Sequence, residues 1–498
     1  MEKKNFYITT TLPYVNAEPH IGFASEIVYA DVRARFEKLI GREVIFNTGT
    51  DEHGIKILQN AIDAEVEPQK YVDKYATKFD GLKAMLNLSY TNFIRTTDKH
   101  HQKAAQEIWK RVDDNGFIYK KQYSVKYCVG CELEKTDSEL ENGYCPLHPN
   151  KELEVIEEEN YFFKFSEFED KLLQLYKDNP KFVVPKKRLN EIESFVEGGL
   201  QDFSISRVAS KMPWGVPVPD DPTQVMYVWF DALTNYISTL GWPEDVKNFE
   251  KFWGTKENPK AIQIAGKDNL RQQSAMWQAM LMAADLPTSK QVFINGFISV
   301  DGQKMSKSIG NVISPKEMVE RYGIDGTRYL LLTKGTFGED NDISWEKLDI
   351  KYNADLANGL GNLVSRIIVL AGDIPISNTL KYIMFPKGGN YGEKTTKQDI
   401  FEVASLEVEE YMQTMNFKKA LERTVFLRVQ LANAEIEKKE PWKLKKENPE
   451  AFIFTMETLL NELELIVELL QPFMPGIAEK IKQQLKTREK EILFERIK

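Results

Sequence analysis

Three cysteines and one histidine follow each other in an order that suits a tetrahedral metal ion: Cys128, two residues, Cys131, thirteen residues, Cys145, two residues, His148. Two close pairs separated by a loop can bring three thiolates and an imidazole around zinc. Four protein donors leave no position open for substrate, so such an ion is structural, one per chain. The alternative is a redox dithiol at Cys128 and Cys131, but no thioredoxin-like sequence surrounds the pair. An odd number of cysteines, all in one segment, is not the framework of a secreted disulfide protein.

Two further segments carry groups suited to phosphate. Residues 12–23 (LPYVNAEPHIGF) separate a strand-like run from a helical pattern. Backbone N–H groups and the positive end of the helix dipole favour an anion there; His20 can donate to phosphate oxygens, and Gly22 lets a flat base approach the backbone. The alternative is a plain strand-to-helix turn whose glycine serves packing. The second segment is Lys304-Met305-Ser306-Lys307-Ser308, just after Asp301 and Gly302. Two lysines three apart on a loop can carry mobile positive charge to a phosphate chain and stabilise a departing phosphate group. Its alternative is a solvated basic loop.

The elements that must position these groups follow from periodicity. Residues 6–11 and 44–48 read as strands on either side of a helix with Ile27, Val28, Val32, Phe36 and Leu39 on one face, a βαβ unit. Such a unit implies a parallel sheet with ligands at the carboxyl ends of its strands. From 115 to 220 the texture changes to cysteines, turns and aromatic strand-like pieces such as 161–165, an insertion in that sheet. Strand-like runs return at 225–230, 261–265 and 292–295, with a helix over 274–284. Beyond residue 349 helices take over, with stripes at Leu421, Val425, Val429, Ala432 and Ile436 and at Leu459, Leu463, Ile466 and Leu470. Between them, 386–397 (PKGGNYGEKTTK) is turn-rich and exposed. The expected architecture is α/β: a split parallel-sheet, Rossmann-like catalytic domain (1–114 and 221–300) with an inserted zinc-knuckle domain (115–220). A loop and stem-contact region (301–350) and an all-α helix bundle (351–498) follow.

A chain of 498 residues exceeds one core and implies two or three units. With 66 Lys and Arg against 75 Asp and Glu, the net charge of −9 excludes broad, unspecific nucleic-acid binding, so any RNA contact is local. No apolar run reaches membrane-spanning length, and the start MEKKNFYITT lacks a signal peptide's apolar stretch, which points to the cytoplasm and no membrane partner. Residues 185–188 (PKKR) and 443–446 are read as solvated surface, and His100 and His101 as the surface start of a helix, without a role.

Taken together, PHIG after the first strand and KMSKS after the last resemble the paired signatures of class I aminoacyl-tRNA synthetases. The segments 49–54 (GTDEHG), 227–236 (YVWFDALTNY), 266–268 (GKD) and 362–366 (NLVSR) look like methionyl-tRNA synthetases. The form resembled has a single zinc knuckle and lacks the appended C-terminal RNA-binding domain; the similarity runs almost end to end. The resemblance implies that Asp51 takes the methionine ammonium, that Leu12 and Tyr14 line the side-chain pocket, and that Trp229, Ala232 and Tyr236 close it. A carboxylate pairs with an ammonium and aromatic edges suit a polarizable sulfur; outside the motif, Trp229 reads as a core aromatic. His20, Gly22, Gly266, Asp268, Lys304, Ser306 and Lys307 would bind ATP with its Mg2+, with His20, Lys304 and Lys307 serving catalysis. Asn362, Arg366 and Trp442 would read the anticodon of initiator and elongator methionine tRNA. From its setting alone, Trp442 at the helix break 439–443 either stacks on a base or packs the helix end. Phe23, Leu233, Asn269 and Gln273 depart from the family pattern. The chain is expected to be a monomer. Two other functions remain open, a class I synthetase for another apolar amino acid and a non-catalytic tRNA-binding relative.

Overall fold

The structure, a computed structural model, describes residues 4–131, 133–135, 139–305, 311–376 and 408–498. Segment 386–397 therefore lies outside the described residues. The chain divides into two compact units: Met1–Pro19, Glu43–Gly81 and Tyr90–Asn295 form the first, and His20–Arg42, Leu82–Ser89 and Gly296–Lys498 the second.

The first unit is built on a six-stranded, all-parallel sheet. Strand Asn5–Thr10 sits inside it, paired with Glu43–Thr50 on one side (Tyr7 opposite Ile45) and with Ile262–Gly266 on the other (Ile8 opposite Ile262). Asn92–Arg95 and Gln291–Asn295 extend it outward. Phe6, Tyr7, Ile8, Thr9 and Thr10 are all buried, as expected of a strand covered on both faces. Gly49 is required by its neighbour, because a Cβ there would lie 1.8 Å from the Ile94 carbonyl oxygen.

Two differences from the sequence reading concern this unit. The sixth strand of the sheet, Val183–Val184, pairs with Gln291–Asn295 and comes from inside the segment read as an insertion. Two residues carry no readable alternation, so the pattern could not reveal it. The run 225–230, read as one strand, is a strand end followed by a helix. Asp221–Met226 belongs to a separate antiparallel sheet with Ser206–Val208 and Pro217–Val218, and Val228–Ala232 is helical. A short apolar run is ambiguous between the two states. The remaining insert is antiparallel, with Ile118–Cys128 paired to Glu154–Phe163.

Helix Ile21–Leu39 opens the second unit. It buries Ile27, Val28, Val32 and Phe36 as the stripe predicts, but also Asp31, Arg33 and Glu37. Those charges are satisfied within the unit. Arg328, on helix Pro315–Thr333, is fully buried; it pairs with Asp31 at 2.7 Å and donates to the carbonyls of Leu86 (3.0 Å), Pro472 (3.1 Å) and Phe473 (2.8 Å). On the same helix, Asp325 accepts from the backbone N–H of Ile477, at the start of helix Pro475–Thr487. One helix thus clamps the turn between the last two bundle helices while gripping the first helix of the unit. The bundle matches its stripes: Leu421, Val425, Ala432, Ile436, Leu459, Leu463, Ile466 and Leu470 are fully enclosed. Helices Asn362–Ala371, Leu427–Lys439 and Pro475–Thr487 all pack on Pro449–Leu470. Among the described residues no helix is long and apolar enough to cross a membrane.

Two surface expectations fail. Arg188 is buried and paired with Glu191, whereas Lys186 and Lys187 are exposed. His101 is buried in the first unit, on helix Lys99–Asp114. Both point inward from amphipathic helices whose apolar stripe they interrupt.

Arg328 generates a stability prediction. Truncating Arg328 strips the buried Asp31 of one of its two guanidinium partners, leaving Arg35 and Ser89, and takes the Arg328 donors from three carbonyls, a loss of about 3–5 kcal/mol. Arg328→Ala should lower the urea midpoint of unfolding accordingly with the slope unchanged; a midpoint within error of the parent would contradict this.

Candidate functional site

In the first unit the chemistry-bearing residues gather at the carboxyl ends of adjacent strands. The chain leaves Asn5–Thr10 through Leu12 and Tyr14, and leaves Glu43–Thr50 directly into Asp51. The two exits are stitched together: Tyr14 and Asp51 form a parallel bridge, with Asp51 N–H donating to the Pro13 carbonyl (3.0 Å) and Val15 N–H to the Asp51 carbonyl (3.2 Å). Asp51 is buried, while Leu12 and Tyr14 are half-buried and so keep a face outside the core. The neighbouring carboxylate, Glu52, is spent elsewhere, bonded by Arg95 at 2.7 and 2.9 Å and by Thr50 and Thr97.

The aromatic residues come from the short helix Val228–Ala232 and its successor Asn235–Ser238. Trp229 is half-buried and packs, together with Tyr14, against Tyr127, Tyr227 and Val228. Its indole Nε1 is enclosed yet has no hydrogen-bond partner among the described residues. Ala232 and Tyr236 are buried deeper. Tyr236 is held from two sides: its carbonyl accepts from the Tyr7 hydroxyl (2.7 Å) and its hydroxyl accepts from Gln273 Nε2. Gln273 stands on the π-helical turn Gln272–Met276 and continues into a buried chain of amides, accepting from Gln263 (3.0 Å), which in turn accepts from Ser289. Gln273 thus orients Tyr236 through a buried polar network.

Gly266 ends strand Ile262–Gly266 in the same unit and Asp268 lies in the turn after it, at the same edge of the sheet and exposed. Three residues that sequence reasoning left without a role join these elements: His53, Asp231 and His101, all buried, with Asp231 bonded to both imidazoles. An acid inside the apolar run YVWFDALT was the one available signal.

The metal ligands also belong to this unit. The donor atoms of Cys128, Cys131, Cys145 and His148 lie within 4.8 Å of one another. Cys131 Sγ is 3.4 Å from Cys145 Sγ and 3.2 Å from His148 Nδ1, separations that fit donors at about 2.0–2.3 Å from one tetrahedral ion. Gly130 makes room for the set, since a Cβ there would lie 2.4 Å from the His148 ring. The four residues are positioned to hold a metal ion.

His20 and the lysine loop belong to the second unit. His20 is the N-cap of Ile21–Leu39; its Nδ1 accepts from Gly22 N–H at 3.0 Å, which puts the ring proton on Nε2. Gly22 is needed for this, because a Cβ would sit 2.7 Å from the imidazole. Before the lysine loop a hairpin pairs Ser299 with Lys304, its turn held by Asp342, which accepts from Gly302 N–H (2.7 Å). After the loop, Ile313 accepts from Ile21 N–H (3.3 Å), and Ser314 begins Pro315–Thr333 with a capping box. Both ends of the loop are thus fixed, one directly to the residue that follows His20. Ser306 and Lys307 lie outside the described residues. Phe23 is buried in the helix and serves packing.

In the bundle, Asn362 and Arg366 stand one turn apart on Asn362–Ala371. Arg366 lies over the ring of Trp442 (6.0 Å) and pairs with Glu437 at 2.7 Å. Trp442 is 42% exposed, so it does not pack a helix end away from solvent. Arg366 and Trp442 thus form a surface pair, with Asn362 exposed one turn earlier on the same helix as Arg366.

Comparison with known proteins bears on the whole chain. A family model described as class I tRNA synthetases (M) matches residues 6–153 and 134–368, and one described as the anticodon binding domain of methionyl tRNA ligase matches 385–496. The methionine–tRNA ligase of Caldanaerobacter subterraneus subsp. tengcongensis is 40% identical, over 100% of this chain and 76% of its own length. That of a Nostoc species is 40% identical over 97% and 90%. Among solved structures, Mycobacterium tuberculosis methionyl-tRNA synthetase in complex with methionyl-adenylate superposes with a TM-score of 0.86 at 36% identity, covering 96% of this chain and 93% of that one. Its ligand-free form gives 0.79 at 32% identity, over 96% and 91%.

Two expected outcomes follow from this geometry. Elemental analysis of the purified chain should find one divalent metal ion per molecule, and Cys145→Ser should lose it; a metal-free parent, or a variant that retains the ion, would contradict the four-donor site. The other concerns Lys334, after helix Pro315–Thr333. Its ammonium is enclosed beside the Ser25 hydroxyl, the Leu331 carbonyl (2.9 Å) and the Tyr29 ring (4.7 Å), and burial pushes it down to about 7. The unfolded chain, with this lysine at its ordinary 10.5, binds more protons between those values, so stability gains from this group as pH rises from about 7 to 10.5. Lys334→Met should flatten that rise in a pH series of thermal unfolding; an identical slope in parent and variant would refute it.

Proposed function

The chain belongs to the methionyl family of class I tRNA synthetases, and from that premise we propose how its own residues perform the reaction. The activity is that of a methionine–tRNA ligase: methionine and ATP form methionyl-adenylate and pyrophosphate, and methionine is then transferred to the 3′ end of its tRNA. The observation that carries this is likeness along the entire chain, catalytic and anticodon-binding parts alike.

To the amino acid we assign Asp51 for the ammonium, with Leu12, Tyr14, Trp229, Ala232 and Tyr236 around the thioether. The bridge between Tyr14 and Asp51 supports this, since it fixes the carboxylate beside an aromatic wall. To the nucleotide we assign Gly266 and Asp268 at the ribose and His20, Gly22, Lys304, Ser306 and Lys307 at the triphosphate. A methionine carboxylate oxygen attacks the α-phosphorus in line, the bond to the bridging oxygen breaks, and pyrophosphate leaves with the electron pair. Catalysis is by positioning and charge stabilisation: the His20 Nε2–H and the Lys304 and Lys307 ammonium groups meet the charge that moves onto the leaving group. No covalent link to the protein is involved. Magnesium bound with ATP would shield its phosphate charge. A zinc ion held by Cys128, Cys131, Cys145 and His148 would stabilise the insert and take no part in the chemistry.

Asn362, Arg366 and Trp442 are assigned to the anticodon of initiator and elongator methionine tRNA, the open indole stacking on a base. In functional terms the chain divides into a catalytic domain (1–114, 221–300), the knuckle insert (115–220), the loop and stem-contact region (301–350) and the anticodon bundle (351–498). A cytoplasmic monomer is the working form in this reading.

Charging of methionine tRNA by the purified chain tests the proposal. Methionine should be esterified in an ATP-dependent way. Asp51→Ala should raise the KM for methionine on the order of 100-fold, the scale of a charge-assisted hydrogen bond. Trp442→Ala should weaken charging without affecting adenylate formation. Absence of charging, or charging by a different amino acid, would overturn the functional reading; an unchanged methionine KM in Asp51→Ala would overturn its residue assignment.

A further inference from the structure

A buried charge cluster that the reaction as described does not use links the elements that carry Asp51 and Trp229. Asp231 is fully buried on helix Val228–Ala232, between Trp229 and Ala232. Its Oδ2 lies 2.6 Å from His53 Nδ1 and its Oδ1 2.8 Å from His101 Nε2. His53 follows Asp51 by two residues and is itself buried against the Trp214 ring, 5.5 Å away. His101 reaches in from Lys99–Asp114, and its Nδ1 is 2.9 Å from the Ser238 hydroxyl, on the helix that carries Tyr236.

The protonation pattern follows from chemistry. Burial pushes the Asp231 carboxyl up, but the His53 charge and hydrogen bonds from both imidazoles outweigh it and hold it down to about 2, so the group is a carboxylate. A carboxylate only accepts, so His53 must present Nδ1–H and His101 Nε2–H. A buried carboxylate bonded at both oxygens is a rigid brace, since releasing either donor leaves a charge unpaired in the interior.

We propose that Asp231 is the positioning residue for amino-acid recognition: through His53 it fixes the strand end that carries Asp51, and through its own helix it fixes Trp229 and Ala232. The distance between the ammonium-binding carboxylate and the thioether wall is then set by one buried group, which makes the brace a determinant of substrate length. This rests on the assignment of Asp51, Trp229 and Ala232 to methionine.

The test uses the full chain and methionine-dependent exchange of pyrophosphate into ATP. Asp231→Asn keeps the shape but cannot accept from both imidazoles. Its KM for methionine should rise about tenfold or more, the scale of a sub-ångström misplacement, with the KM for ATP unchanged and the preference for methionine over norleucine reduced. His101→Leu should repeat the effect, and His101→Gln, whose Nε2–H can still donate to Asp231, should restore the parent values. The two His101 variants read the same brace if Asp231→Asn fails to fold. An unchanged methionine KM in Asp231→Asn or His101→Leu, or methionine and ATP constants rising together, would overturn the proposal. A parent protein without methionine-dependent exchange would instead overturn the functional reading beneath it.

Discussion

Strand Asn5–Thr10 is hydrogen-bonded in parallel on both sides, and that single constraint decides where chemistry is possible in the first unit. Parallel pairing sends the chain out of three adjacent strands at the same edge, so Leu12 and Tyr14, Asp51, and Gly266 with Asp268 emerge side by side without any of them having to be steered there individually. The register adds the finer adjustment. Gly49 lets Asn92–Arg95 close in, and Arg95 then reaches Glu52, the residue next to Asp51, and holds it with two hydrogen bonds.

Polar groups do the positioning that apolar packing cannot do in a site that must admit a polar substrate. Around the pocket, amides, imidazoles and hydroxyls replace core packing: the Gln273 chain orients Tyr236, and Asp231 braces the helix that carries Trp229. In the second unit the same logic operates at larger scale. Arg328 spends its donors on Asp31, the 82–89 segment and the turn before the last bundle helix, so the helix that begins at His20 and the bundle that carries Arg366 and Trp442 share one rigid connection. Such buried ionic hubs contribute little net stability over an apolar alternative, yet they specify one arrangement because every other one strands a charge.

The parts legible in the sequence were those with either a period or a motif. The helical stripe at Leu421 to Ile436 and the strand-like run at 6–11 revealed their elements, and the Cys128 to His148 spacing predicted a metal-binding constellation that the folded donors form. What escaped were residues whose meaning depends on a partner far away in the chain. His101 looked like the surface start of a helix because nothing near it announces Asp231, 130 residues on. Gln273 read only as a departure from the family pattern because its partners Tyr236 and Gln263 lie elsewhere in the chain, and Arg188 read as one more basic residue in PKKR. The strand Val183–Val184 and the helix Val228–Ala232 were missed for a simpler reason, since elements of so few residues show no periodicity.

The proposed reaction selects methionine by its ammonium and thioether and activates its carboxylate by phosphate chemistry. The direct measurement is to incubate the purified chain with ATP and an equimolar mixture of methionine, leucine, isoleucine and cysteine, without tRNA, and to identify the protein-bound adenylate by mass spectrometry. The account predicts methionyl-adenylate alone, with release of pyrophosphate. Recovery of another aminoacyl-adenylate, or of unreacted ATP with no adenylate, would contradict it.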